Sequence, residues 1–326
     1  MIRQITGFLK WLSSAAAVIA VACITLGLND AAQALIVNAD PTGTSNPAPY
    51  TAAPTSADLT HGDPGWNYVG AFLQTNGGNG TGVYVGNGWV LTAGHVSTGG
   101  QITFGSTSFS LTGAPIPLTN PVGVSGTPDL TLRKISGYLP LPDPVIRASS
   151  PTYNNPVVLI STGDDRSSAL TAFPNGNSGY YWDTSANGRQ QAWGTNNVYQ
   201  SSVNVFRDTT NATQCFDVRF SNITGEAQAA DHDSGGAGFI YNNSLSQWEL
   251  AGLILNIHNG DVNVAPRPGD PYTPTGQPGN TAAFGNYTFL ADLSKYADQI
   301  NAVVPEPASL ALLCLGSLTL LRRRRA

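Results

Sequence analysis

The stretch Thr81-Gly82-Val83-Tyr84-Val85-Gly86-Asn87-Gly88-Trp89-Val90-Leu91-Thr92-Ala93-Gly94-His95 decides how the rest of the chain is read. Two β-prone apolar runs, residues 81–85 and 89–92, flank Gly86-Asn87-Gly88, a strong signal for a tight β-hairpin. Outward from this hairpin the same style repeats. Residues 101–104 and 108–112 make a second pair of runs, and 198–206, 215–220, 237–241 and 248–255 suit strands, the last two joined across Asn242-Asn243-Ser244. Residues 140–156 hold Pro142, Pro144 and Pro151 and do not suit a central strand, so they read as a connector between two halves. Only residues 293–303 have helical spacing, with Asp292 placed as an N-cap. Short strands at this density mean a sandwich or a barrel, and the length is enough for two.

Composition agrees with an all-β reading. Of 326 residues, 41% are hydrophobic and only 11% charged, while 36 Gly and 22 Pro make the chain rich in turns. A charged share near 25% is usual. These values exclude a coiled coil, a charge-laced helical bundle and a disordered charged tail, and they favour a turn-dense protein outside the cytoplasm.

Both ends read as addresses rather than as fold. Arg3 and Lys10, an uncharged apolar run over 15–28, and Ala32-Gln33-Ala34 make residues 1–34 a secretory signal peptide. A retained anchor helix is the alternative, although the run is short for a span of ~20 residues. At the other end Val304-Pro305-Glu306-Pro307 is followed by an apolar stretch, 310–321, and by Arg322, Arg323, Arg324 and Arg325. Twelve helical residues reach ~18 Å, less than a ~30 Å hydrocarbon core, so the stretch suits a transient inner-membrane contact with its basic end held inside. The order Pro-Glu-Pro, apolar stretch, basic terminus over residues 304–326 resembles the PEP-CTERM sorting tail of Gram-negative bacteria. That resemblance implies an exosortase-type sorting enzyme as partner and a secreted or cell-surface destination.

Without its ends the chain is acidic. Residues 35–304 carry 9 Lys/Arg against 18 Asp/Glu, a net charge of −9, and nothing in them offers the basic face that a nucleic-acid binder needs. Cys23 falls in the signal and Cys314 in the tail, which leaves Cys215 alone in the body, unable to form an intradomain disulfide and expected as a small buried apolar side chain.

Three short motifs carry chemistry. His95 follows an apolar strand on a turn of small residues, held firmly yet able to reach a partner; a hydroxyl nucleophile needs such a base, and a structural histidine is the other reading. Asp231-His232-Asp233-Ser234-Gly235-Gly236 places two glycines after Ser234, so the backbone can turn and leave the hydroxyl open, with the N–H groups of His232 and Ser234 able to face a developing oxyanion. A plain polar turn is the bland reading. Asp129, opening the alternating run Leu130-Thr131-Leu132, can fix an imidazole's tautomer or be an ordinary loop carboxylate. A metal site on Asp231, His232 and Asp233 is disfavoured because adjacent side chains diverge, and no cofactor is expected.

Taken together, the order His95, Asp129, Ser234 and the strings Thr92-Ala93-Gly94-His95, Asp129-Leu130-Thr131-Leu132 and Asp233-Ser234-Gly235-Gly236 resemble chymotrypsin/trypsin-like serine proteases. Ala251-Gly252-Leu253-Ile254 and Gly285-Asn286-Tyr287-Thr288 extend the resemblance over about residues 66–303. It implies two packed antiparallel β-barrels with a short C-terminal helix: a leader over 35–65, a first barrel over 66–150 with His95 and Asp129, and a second over 151–303 with Ser234. It also implies a protein or peptide substrate, a triad of His95, Asp129 and Ser234, an oxyanion hole at His232 and Ser234, and substrate contacts at Gln228, Leu255 and Asn256. An α/β-hydrolase needs Gly-x-Ser-x-Gly with the histidine last in sequence, which this order excludes.

The chain departs from that family at three positions. His232 stands where a glycine is usual, Leu255 where a serine neighbours the buried aspartate, and Gln228 where trypsin has an acidic residue, so no preference for Lys or Arg follows. His258 reads as a surface-loop histidine near the cleft. Ile36-Val37 resembles the amino terminus that pairs with the aspartate before the serine in activated trypsins. It lies farther from His95 than in that family and reads as a coincidence, with another partner expected for Asp233. Two functions follow: a secreted serine endopeptidase, or a non-catalytic surface or matrix protein that retains the protease fold.

Overall fold

A computed structural model describes residues 35–73, 78–184, 189–207, 209–258 and 278–304. The expected signal (1–34) and the residues of the expected tail from 305 onward, with Cys23 and Cys314, lie outside the described residues.

A short strand β1 (Ile36–Val37) precedes β2 (Val69–Phe72), β3 (Gly80–Gly86), β4 (Trp89–Ala93), β5 (Gln101–Phe104), β6 (Thr107–Pro117) and β7 (Leu130–Ile135). After the proline-rich connector come β8 (Pro156–Ser161), β9 (Thr171–Ala172), β10 (Ser178–Tyr181), β11 (Ala192–Phe206) and β12 (Ala212–Arg219). The chain continues through β13 (Ala227–Gln228), β14 (Ala237–Asn242), β15 (Gln247–His258), β16 (Thr281–Ala283) and β17 (Tyr287–Asp292). Two closed antiparallel barrels of six strands result, ordered β2-β3-β4-β7-β6-β5 and β11-β12-β17-β15-β14-β8. Closure leaves neither sheet an open edge.

The deciding hairpin forms as its turn chemistry demands. Asn87 and Gly88 sit at φ +46° and +74°, the left-handed angles that a two-residue hairpin turn needs, and Val83 pairs with Leu91. Strand β3 is buried along its whole length, so its small and apolar residues alternate little. The core runs through both barrels: Val83, Leu91 and Leu132 of the first share one cluster with Ile160, Phe239 and Leu253 of the second. Each such aliphatic or aromatic side chain contributes roughly 1.5–3 kcal/mol when fully buried.

Two barrel strands carry no clear sequence signal. In β2, Gly70 and Ala71 dilute the apolar pattern, and β8 opens on Pro156, which tolerates the first position of a strand because no ladder N–H is needed there. The expected helix over 293–303 splits. Asp292 caps a 3-10 turn (Leu293–Lys295) by accepting from Ser294 N–H at 3.1 Å, and a separate α-helix spans Ala297–Val303. Between them Tyr296 is wholly buried and its hydroxyl donates to Asn120 Oδ1 at 2.9 Å, which holds the break in place.

The residues expected as a leader are tied into the body. Leu35, Ile36 and Val37 are fully buried, and β1 pairs with β13, Ile36 opposite Gln228. Arg166, only 1% exposed, donates to the carbonyls of Val37 (3.1 Å) and Ser45 (2.6 Å) and lies 4.5 Å from the Tyr180 ring centre. A buried guanidinium is tolerable because its charge meets carbonyl dipoles and an aromatic face.

Cys215 is fully buried on β12 opposite Ala291, and that burial pushes its thiol well above the ordinary range. Peptide mapping after alkylation should find Cys215 unmodified in the native protein and modified after unfolding, and thiol reductants should leave the melting temperature unchanged. Rapid native alkylation at Cys215 would contradict this packing.

Candidate active site

Strand pairing brings the first two motif residues together. Ala93, the last residue of β4, pairs with Leu130, the first of β7, so the residues just outside these ends are neighbours. Gly94 N–H donates to Asp129 O at 3.1 Å, and the His95 Nδ1–H meets Asp129 Oδ2 at 2.5 Å. A Cβ on residue 94 would lie 3.0 Å from Asp129 Oδ1, so a small residue suits this close approach. The His95 ring stays 35% exposed toward a cavity of about 410 Å³, while Asp129 is buried.

Ser234 reaches the same cavity from the second barrel, on the turn between β13 and β14. Strand β3 docks this turn: Thr81 N–H donates to Ser234 O at 2.9 Å. Gly235 has φ +92°, and a Cβ there would come within 1.8 Å of Thr81 O, so no other residue fits. The Ser234 hydroxyl donates to Leu255 O at 3.3 Å rather than to His95.

The N–H groups around the serine alternate in direction. Asp233 N–H turns back to Ala230 O (3.3 Å) and Gly235 N–H binds Ile254 O (2.7 Å). Those of His232 and Ser234 donate to no protein acceptor among the described residues. His232 adopts φ +69°, left-handed backbone where the resemblance leads one to expect glycine. His232 lines the cavity, and its Nδ1 lies 2.8 Å from Asp164 Oδ1. Burial raises the Asp164 pKa, while its hydrogen bond and charge interaction with His232 work in the opposite direction.

Asp233 points away from the cavity. It accepts from Ala230 N–H (2.7 Å) and Gly163 N–H (2.8 Å), and among the described residues no cation pairs with it. Full burial pushes its pKa up to about 7, against the pull of those hydrogen bonds. Among the described residues no group of three His, Cys, Asp or Glu side chains is placed to hold a metal ion.

The remaining sequence expectations divide. Leu255 and Asn256 line the cavity. Gln228 does not: it is completely buried on β13 against β1, and neither its amide oxygen nor its nitrogen has a protein partner among the described residues. His258 ends β15. Two neighbours escaped the sequence reading. Arg207 Nη1 donates to Asp129 Oδ1 at 3.2 Å, and Thr213 Oγ1 accepts Asp129 N–H at 2.8 Å. Besides His95, Arg207 supplies a second side-chain partner of the Asp129 carboxylate. Nothing local marks Arg207 in sequence, whereas Asp164-Asp165-Arg166 stands out as a charged cluster in a chain poor in charge.

Comparison with known proteins adds one assignment. Residues 303–325 match the PEP-CTERM protein-sorting motif. No curated protein matches the sequence. Among solved structures, the active form of Rv3671c protease from M. tuberculosis is similar at 16% identity, with a TM-score of 0.42, over 82% of this chain and 90% of that one. Its inactive form is similar at 16% identity and TM-score 0.40, over 81% and 99%. Neuropsin, a serine protease expressed in the limbic system of mouse brain, is similar at 13% identity and TM-score 0.45, over 78% and 97%.

The buried Asp233 has a consequence for stability. Its folded pKa of about 7 lies above the unfolded value, so the native state keeps a proton that the unfolded chain has lost. This group's contribution to stability therefore falls as pH rises from about 4 to about 7. The urea midpoint should drop less between pH 5 and pH 8 in Asp233→Asn than in the wild type; equal drops would mean that Asp233 is ionised throughout.

Proposed function

We propose that the protein is a secreted serine endopeptidase that hydrolyses peptide bonds through an acyl-enzyme. The observation that carries this reading is the convergence of His95, Asp129 and Ser234 on one cavity beside two N–H groups that have no protein acceptor among the described residues. In this reading the Ser234 hydroxyl turns from Leu255 O toward His95, whose Nε2 takes the proton as Oγ attacks the substrate carbonyl. Catalytic hydrogen bonds are commonly long in the free enzyme and tighten once substrate is bound. Asp129 holds the Nδ1–H tautomer and stabilises the imidazolium that forms. The N–H groups of His232 and Ser234 receive the oxyanion, a role in which one donor is worth about 10²–10³ in rate. His95 then hands the proton to the leaving amine, and water releases the acyl group by the reverse sequence.

The sorting motif supports export. Residues 1–34 act as the signal peptide, and an exosortase-type enzyme at the inner membrane recognises the tail, which leaves the acidic body outside the cell. A second reading, a surface protein that keeps the fold without catalysis, is favoured by the direction of the Ser234 hydroxyl and by the side chain at residue 232.

Labelling by a fluorophosphonate separates the two. Wild-type protein should be modified at Ser234, and Ser234→Ala should not be modified while its circular dichroism is unaltered. A wild type that resists the reagent supports the non-catalytic reading. His95→Ala should lower peptide turnover by several orders of magnitude, to the residual ~10³–10⁴ over water left without a triad member. Retention of most of the rate would sink the assignment of His95 as the base.

A further inference from the structure

The last residue of β8 and the segment after it grip the turn before Ser234. Ser161 Oγ donates to Asp233 O (3.1 Å), Gly163 N–H to Asp233 Oδ1 (2.8 Å) and Asp164 N–H to Asp231 O (2.9 Å). These ties fix residues 231 and 233, while the residue between them is held at its carbonyl by Thr81 Oγ1 (3.2 Å) and at its ring by its own side-chain partner. That residue is His232, at φ +69°. Left-handed backbone at a residue other than glycine is strained and persists only where the surroundings enforce it.

Thr81 holds the carbonyl of this residue, and Asp164 holds its ring. The Asp164 carboxylate is completely buried, one oxygen lies 2.8 Å from His232 Nδ1, and the other has no protein partner among the described residues. Among the described residues the imidazole is thus the one side-chain group that hydrogen-bonds the carboxylate, and the carboxylate is the one that hydrogen-bonds the imidazole. Relaxation of residue 232 to negative φ would reorient its peptide planes, and its N–H would no longer lie beside that of Ser234.

We propose that Asp164 and His232 form a positioning clamp that holds residue 232 in its left-handed conformation and so keeps the two N–H donors of the nucleophile turn aimed at the cavity. This rests on the serine-hydrolase reading for its catalytic meaning, though not for its structural content. His232 is then a positioning residue through its ring. A chain with glycine at this position needs no such clamp, and the buried Asp164 is what allows histidine there.

The test compares full-length protein carrying His232→Ala, His232→Asn or Asp164→Ala with the wild type, with p-nitrophenyl acetate as probe and backbone hydrogen exchange as a readout independent of activity. The clamp predicts that His232→Ala and Asp164→Ala lower kcat about tenfold with KM little changed, and speed exchange over residues 231–235 while barrel amides keep their protection. His232→Asn should recover most of the loss, because asparagine tolerates left-handed backbone and its amide can donate to Asp164. Should Asp164→Ala fail to fold, His232→Ala carries the same comparison. Unaltered kcat and exchange in His232→Ala would overturn the proposal, as would a loss of kcat without faster exchange over 231–235. A wild type inert to both the ester and the fluorophosphonate would refute the hydrolase reading, and exchange in the variants would still decide the clamp.

Discussion

One buried hydroxyl-bearing residue of the first barrel, Thr81, connects everything that surrounds the nucleophile. Its N–H donates to Ser234 O, and its carbonyl accepts from Thr92 Oγ1 at 2.7 Å. Its Oγ1 lies within hydrogen-bond distance of Ser161 Oγ (3.1 Å), Thr162 Oγ1 (2.6 Å) and His232 O (3.2 Å). The end of β8 and the turn that carries Ser234 are therefore both referenced to one point on β3. Polar groups buried this deeply are costly unless paired, so the network has few ways to rearrange without leaving an orphan. The absolute need for glycine at residue 235 is the steric counterpart of the same constraint.

From that point outward, the second barrel is braced by the chain's beginning. Ile36 and Val37 pair with β13, which leads directly into the turn before Ser234, and Arg166 holds Val37 and Ser45 from the far side. Asn46 closes the loop by accepting Val37 N–H at 3.0 Å and donating to Leu35 O at 2.6 Å. A stretch rich in Pro, Ala, Ser and Thr thus becomes ordered because its few apolar residues at 35–37 find a buried slot and its backbone finds polar partners. Asp165 belongs to the same region, and burial pushes its carboxyl up to about 8.

The cavity itself is polar on the side of the first barrel and largely apolar on the side of β15, where Ile254, Leu255 and Ile257 line it. Arg207 lies at the rim with its side chain 53% exposed, so its ion pair with Asp129 is screened by solvent and is worth little to stability. Its effect is on the orientation of the carboxylate that faces His95.

What the sequence determined by itself was the local grammar and its order along the chain. The Asn87-Gly88 turn, the β-prone runs, the sorting tail and the Asp233-Ser234-Gly235-Gly236 turn depend on neighbours a few residues apart, so periodicity and turn chemistry suffice to read them. The pairing of His95 with Asp129, 34 residues apart, was legible because both stand at strand ends within family-like motifs. Tertiary structure alone decided the contacts that give those motifs their setting. Asp164 meets His232 across 68 residues and Arg207 meets Asp129 across 78, and no local pattern records either encounter. The burial of Gln228 and of residues 35–37 likewise follows from the β1–β13 pairing, which joins segments about 190 residues apart. Hydrogen bonds between distant segments depend on where barrel closure carries each strand end, and that is a property of the whole chain rather than of any window within it.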